Sequence, residues 1–176
     1  MGFHDTKGGY HAFRSELQIS LFDFREVAEA GGAVSNIAGN GGILASDTTP
    51  VLGVHASESQ QISWATGNVD PIAVQKSLRN DFDGTQDVLV ELWVNSGTTN
   101  LASMTVETSW DGGTIVTDTA TDPAASATIH KITATIAAAD IPDGASFLSM
   151  SLRPGTHATD AIQLFAARIS YVPKTS

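Results

Sequence analysis

The chain reads as an all-β sandwich, and three features of the sequence point to it. Nine short runs carry alternating or β-branched apolar character, at residues 50–55, 61–65, 69–74, 87–94, 101–110, 114–119, 128–136, 146–152 and 161–172. Turn-forming residues separate most of them: Asp83-Gly84, Asn95-Ser96-Gly97, Asp111-Gly112-Gly113, Asp122-Pro123, Pro142-Asp143-Gly144 and Pro154-Gly155. No helical stretch lies among them, apart from a short local alternative at residues 134–140. Short strands punctuated in this way close into a sandwich or barrel. Two Greek keys of such strands make a jelly roll, the fold class expected here, preceded by an extended N-terminal arm.

Taken in order, residues 1–14 have three glycines, two histidines and little periodicity, which reads as a mobile arm. Leu17, Ile19 and Leu21 alternate, and Phe22 and Phe24 then take the opposite phase. A strand that switches its inward side signals a bulge or a change of sheet. A short helix over residues 24–30, ended by Gly31-Gly32, is the local alternative. Residues 31–49 are glycine-rich without an apolar pattern, so they read as a long loop that orders only on a partner. The expected division is therefore an arm with one strand and a Gly-rich loop over 1–49, and a sandwich over 50–176.

Alternation also assigns faces. Val88, Val90, Leu92 and Val94 share one side of their strand, with Glu91 and Trp93 on the other. Ala102, Met104, Val106 and Trp110 form one side of the next, with Ser103, Thr105, Glu107 and Ser109 opposite as a solvent face. A turn near residues 95–100 would join the two as a hairpin. The last run is apolar in both phases (Ile162, Leu164 and Ala166 against Phe165, Ile169 and Tyr171), which predicts burial on both sides.

Composition narrows the function. The 176 residues include 9 basic and 19 acidic ones, a formal charge of −10, and only 16% are charged. So few cations cannot form a phosphate-tracking patch, so nucleic acid is not an expected partner. No apolar run reaches the roughly 20 residues of a membrane span, and the N-terminus lacks the layout of a secretory signal. The absence of cysteine excludes disulfide scaffolds, thiolate metal sites and cysteine nucleophiles.

Candidate chemistry is thin. The five histidines form no metal or catalytic pattern, and His4, His11 and Asp5 sit in the arm. Gly39-Asn40-Gly41-Gly42 lacks the Lys and the strand-to-helix context of a phosphate loop. Asp81-Phe82-Asp83-Gly84 has part of a calcium-loop pattern, but turn chemistry accounts for it without an ion. Glu91 and Glu107 are the one pair that a retaining glycosidase could use, although the hairpin register sets Glu91 nearer Met104. No enzyme, no cofactor and no metal is expected. Trp64 and Trp110 read as core or rim. Trp93, whose in-phase neighbours are polar, reads as an oligomer contact or a glycan platform.

The run Ile62-Ser63-Trp64, then Asn80-Asp81-Phe82-Asp83-Gly84, then residues 87–94, is similar to jelly-roll virion proteins of tailed bacteriophages. Residues 160–172, with Asp160, Arg168, Ile169 and Tyr171, resemble their final strand, and Arg153-Pro154-Gly155 precedes the last loop as it does in them. The chain departs from the pattern at Ser77-Leu78-Arg79, where a Leu-Pro is frequent. The resemblance implies a capsid decoration (cement) protein, assembled in the host cytoplasm and bound to the outer surface of a phage head as a homotrimer. Its partners would be the major capsid protein and its own copies. Phe3, Tyr10, Phe13, Leu17, Phe22 and Phe24 would dock on the capsid, and Trp93, Phe165, Ile169 and Tyr171 would form the subunit interface. A carbohydrate-binding jelly roll, with Trp93 against a sugar, is the alternative expectation.

Overall fold

The computed structural model describes residues 13–27, 41–45, 50–54, 58–97, 103–121 and 127–174. It contains eleven strands: β1 Ser15–Ile19, β2 Arg25–Glu26, β3 Val51–Val54, β4 Gln60–Trp64, β5 Ile72–Ser77, β6 Val88–Asn95, β7 Ser103–Trp110, β8 Val116–Thr121, β9 His130–Ile136, β10 Phe147–Pro154 and β11 Ile162–Tyr171. All nine expected runs are strands. The only helical elements among the described residues are single 3-10 turns at Leu21–Asp23 and Ala138–Asp140.

The strands form two antiparallel sheets. The six-stranded sheet runs β3-β4-β11-β6-β9, with β1 on the far part of β11. The five-stranded sheet runs β2-β5-β10-β7-β8. Between them lies one core, in which Ile62, Trp64, Val88, Val90, Leu92, Val94, Met104, Val106, Leu152, Leu164 and Ile169 are all 0% exposed. An alternating strand can bury only one side against the facing sheet, and these are the in-phase residues of that side. At one end Phe82 stacks on Trp110 at 5.6 Å and tilts against Tyr171 at 5.2 Å. The Tyr171 hydroxyl donates to Asp81 at 2.8 Å, and the Trp64 indole N–H donates to the Asp70 carbonyl at 2.8 Å, so both aromatics bury their rings with their polar atoms satisfied.

The phase switch near residue 20 is a change of sheet. β1 pairs with β11 in one layer and β2 with β5 in the other, joined by the 3-10 turn that the Ser20 side chain caps. No helix occupies the described start of 24–30, because Arg25–Glu26 is a strand. Leu21, Phe24 and Leu44 are core residues, so segments 15–27 and 41–45 pack with the sandwich. Most of the Gly-rich loop, like residues 1–12, lies outside the described residues.

Two further expectations are corrected. β6 and β7 do not form a hairpin: β6 lies between β11 and β9, while β7 lies between β10 and β8 in the other sheet. Lying in facing sheets, the two strands point both apolar faces inward without pairing. Nor is β11 buried on both sides. Its register shifts between Leu164 and Ala166, and past this bulge Ala167, Ile169 and Tyr171 face the same core as Ile162 and Leu164. One inserted residue reverses the phase of everything after it.

His157 ties the loop after β10 to the end of β4. It is 1% exposed, with Nδ1 2.9 Å from the Gly155 carbonyl and Nε2 3.0 Å from the Ala65 carbonyl. His157→Ala is expected to cost about 1–3 kcal/mol, the range for stripping a buried polar group of its partners. Urea unfolding checks this, and an unchanged midpoint would show the clamp to be dispensable.

Candidate functional site

Each sheet presents an outer face, and the two differ in how their polar groups are satisfied. On the six-stranded sheet, Glu91 and Trp93 point outward from β6. The Glu91 side chain is only 6% exposed and receives Arg168 Nε and Lys131 Nζ, each at 2.5 Å. Arg168 also meets Glu16 at 2.6 Å and lies 4.9 Å above the Trp93 ring. Burial pushes the Glu91 carboxyl up, but the hydrogen bonds and charges of Arg168 and Lys131 outweigh it and hold the carboxyl below its usual range. The bulge in β11 turns Phe165 outward, so Phe165, Trp93, Ile129, Gln18 and Arg168 surround one open hollow. Trp93 therefore already carries a guanidinium on its ring, and the charges around it are paired.

The outer face of the five-stranded sheet is built differently. Registers place Arg25, Ala73, Ser151, Glu107 and Thr117 in one row across all five strands. Gln75, Ser149 and Ser109 form the next row, with Ser77 and Phe147 beyond, and Arg153, Thr105 and Thr119 lie on the other side. A hollow of about 130 Å³ opens here, lined by Ala73, Glu107, Ser109, Ser149 and Ser151, with Val27 and Ile115 as apolar walls. The Glu107 side chain is 11% exposed, and its Oε1 makes only a long 3.5 Å contact with Arg153 Nη2. Glu107 Oε2, Ser151 Oγ and Arg153 Nε are buried without a hydrogen-bond partner among the described residues. Buried polar atoms are paired as a rule, and leaving one unmade costs about 1–3 kcal/mol. Three such atoms lie together on this sheet.

Of the residues expected to act, the structure joins some and separates others. Trp93 and Phe165 line one hollow. Ile169 and Tyr171 are 0% and 1% exposed in the core, so neither is available to a neighbouring subunit. Phe24 is 1% exposed and Leu17 packs on the core, so they cannot dock as an arm would, whereas Phe13 and Phe22 are 92% and 56% exposed. Phe3 and Tyr10 lie outside the described residues.

Glu91 and Glu107 face opposite ways from different sheets, which removes them as a catalytic pair. Among the outward residues of the five strands, Glu107 has no second carboxylate beside it. In the calcium-like loop, Asp81 is held by Tyr171 and Arg79. The Thr85 hydroxyl and then its backbone N–H hold the Asp83 carboxyl below its usual range. No group of three or more His, Asp or Glu among the described residues could hold a metal ion. Sequence reasoning missed the Glu107 surface because it took the Ser/Thr alternation of β7 as solvent-facing. The available signal was a single Glu on the otherwise Ser/Thr-lined side of β7 and a single Arg on the side of β10 that carries Phe147, Ser149 and Ser151.

The sequence matches no protein-family model and no curated protein. Solved structures are more informative. A xylan-binding module, CBM15, superposes over 93% of this chain and 100% of its own, with a TM-score of 0.56 and 12% identity. The CBM22-1–GH10 portion of the Clostridium thermocellum xylanase 10B, crystallised with xylohexaose, superposes over 94% of this chain with a TM-score of 0.51 and 13% identity. The fold is the jelly roll. This chain spans only 29% of that xylanase structure. A tailspike domain of bacteriophage CBA120 is more distant, with a TM-score of 0.42 and 10% identity.

Proposed function

We propose that the protein is a non-catalytic carbohydrate-binding module that takes a polysaccharide chain across the outer face of its five-stranded sheet. The observation that carries this reading is the unpaired set Glu107 Oε2, Ser151 Oγ and Arg153 Nε on an open face. Sugar hydroxyls donate and accept at once, so one chain can satisfy a carboxylate, a hydroxyl and a guanidinium together. Phe147 lies on the same face of β10 as Ser149 and Ser151 and offers a ring for the C–H face of a pyranose. Ala73, Val27 and Ile115 supply apolar contact beside it. Two architectures similar to this one are named for xylan or were crystallised with xylohexaose, which makes a β-1,4-linked xylan the first ligand to try. A capsid-decoration role draws on the sequence resemblance, and of its interface residues Trp93 and Phe165 remain accessible.

Titration calorimetry with xylohexaose, backed by affinity electrophoresis in xylan, β-glucan and galactan gels, tests the assignment. Binding to at least one of these is expected, with Ser151→Val weakening it about tenfold and Trp93→Ala leaving it within twofold. Loss of binding in Trp93→Ala alone would move the site to the opposite sheet. Retention of none of the polysaccharides by the parent chain would remove the reading.

A further inference from the structure

A second hollow lies at the edge of the sandwich, away from the outer face. It has a volume of about 400 Å³ and is lined by Trp110, Gly113, Thr114, Val116, Ala139, Asp140, Ile141 and Pro142. The turn after β7, the start of β8 and the 3-10 turn after β9 enclose it. Trp110 is 2% exposed, and its indole Nε1 has no hydrogen-bond partner among the described residues. Behind Val116 on the same inward side of β8, Asp118 Oδ2 is buried and equally unpartnered. Burial, and then the charge of Asp140, push the Asp118 carboxyl up.

We infer that this edge hollow is a separate binding site for a single sugar unit, recognised by the Trp110 N–H, the Asp140 carboxylate and the apolar wall of Ala139, Ile141 and Pro142. The chemistry selects among ligands. An inorganic anion would face the Asp140 carboxylate, and a metal cation would find only that one carboxylate beside an indole N–H and aliphatic side chains. A pyranose brings what the walls lack: an oxygen to accept from Trp110, hydroxyl protons to donate to Asp140, and a C–H surface for the aliphatic residues. The volume lies within the range of small-ligand pockets and far exceeds that of one water. Segment 113–116 divides this hollow from the outer-face groove, with Ile115 lining the groove and Thr114 and Val116 lining the edge. The inference extends the carbohydrate class of the preceding reading to a site that shares none of its polar residues.

The test is a nuclear magnetic resonance titration of the full chain, following the indole N–H resonance of Trp110, assigned by its disappearance in Trp110→Phe. Methyl β-xyloside, methyl β-glucoside and methyl β-galactoside are the probes, each taken to 50 mM, with calcium chloride as a separate arm. At least one glycoside is expected to shift the resonance saturably, and Asp140→Ala to weaken that response fivefold or more. Phe at position 110 keeps an aromatic ring against Phe82, and exposed Asp140 gives a second variant whose folding is not in question. No saturable shift with any glycoside, an undiminished shift in Asp140→Ala, or a shift produced by calcium alone would overturn the site. Glu107→Met separates the two readings. If it weakens polysaccharide binding tenfold or more while the Trp110 shift remains, both sites stand. If polysaccharide affinity is unchanged by it, the outer-face assignment fails and the edge site is judged by its own titration.

Discussion

Glu107→Met is expected to make the protein more stable and to weaken its binding of polysaccharide by one to two orders of magnitude. The two effects share one cause. In the free protein Glu107 Oε2 is buried without a partner among the described residues, and Oε1 has only the long contact to Arg153. Methionine has nearly the same length and no polar atom, so it fills the same space beside Ser151 and Thr117 without an unmet hydrogen bond. Relief of that cost is about 1–3 kcal/mol, which raises the unfolding midpoint of a chain this size by roughly 2–4 °C per kcal/mol. Arg153 tolerates the loss of its loose partner because its side chain is 42% exposed. Binding moves the other way, since a hydrogen bond to a charged group contributes about 1.5–3 kcal/mol, or one to two orders of magnitude in Kd. Calorimetric unfolding and titration on the same preparation give both numbers. A lower midpoint with unchanged affinity would make Glu107 a structural residue and would remove the argument from unpaired atoms.

The strands were legible because alternation and turn chemistry are local. Val88, Val90, Leu92 and Val94 announce their buried side without any knowledge of the opposing sheet, and Asp111-Gly112-Gly113 ends β7 by backbone geometry, with Asp111 at φ 50° and Gly112 at φ 74°. Sheet membership was not legible. The link between β6 and β7 is short enough for a hairpin and long enough to cross the sandwich, and strand pairing, which local sequence does not encode, decides between them. The bulge at Leu164/Ala166 misled for a related reason. A phase reversal looks the same whether it comes from two buried faces or from one inserted residue. The outer-face groove was hidden because Glu107 is made interesting by its cross-strand neighbour Ser151 and by Ala73 one strand further on, both from distant parts of the chain. Its burial is a tertiary fact.

Glu91→Gln should produce the largest loss of stability among outward-facing residues, and the loss should fade in acid. The carboxylate is nearly enclosed and takes one short contact each from Arg168 and Lys131. Neutralising it leaves both cations short of their counter-charge, a change that costs about 3–5 kcal/mol in a buried pair. The lower end applies here, because the Lys131 side chain is 44% exposed and Arg168 keeps Glu16 and the Trp93 ring. About 3 kcal/mol corresponds to a midpoint lowered by roughly 6–12 °C at pH 7. The folded Glu91 carboxyl is held below its unfolded value. Its contribution is therefore fully present above the ordinary carboxylate range near 4.5 and is lost as pH falls through the folded value. The stability curves of the parent and the Gln variant should separate at neutral pH and converge in strong acid. Parallel curves across that window would mean that the network around Trp93 is an arrangement of surface charges without energetic weight. Polysaccharide affinity serves as the internal control: Glu91 lies on the opposite sheet from the proposed groove, so the variant should bind as the parent does at any temperature where it remains folded.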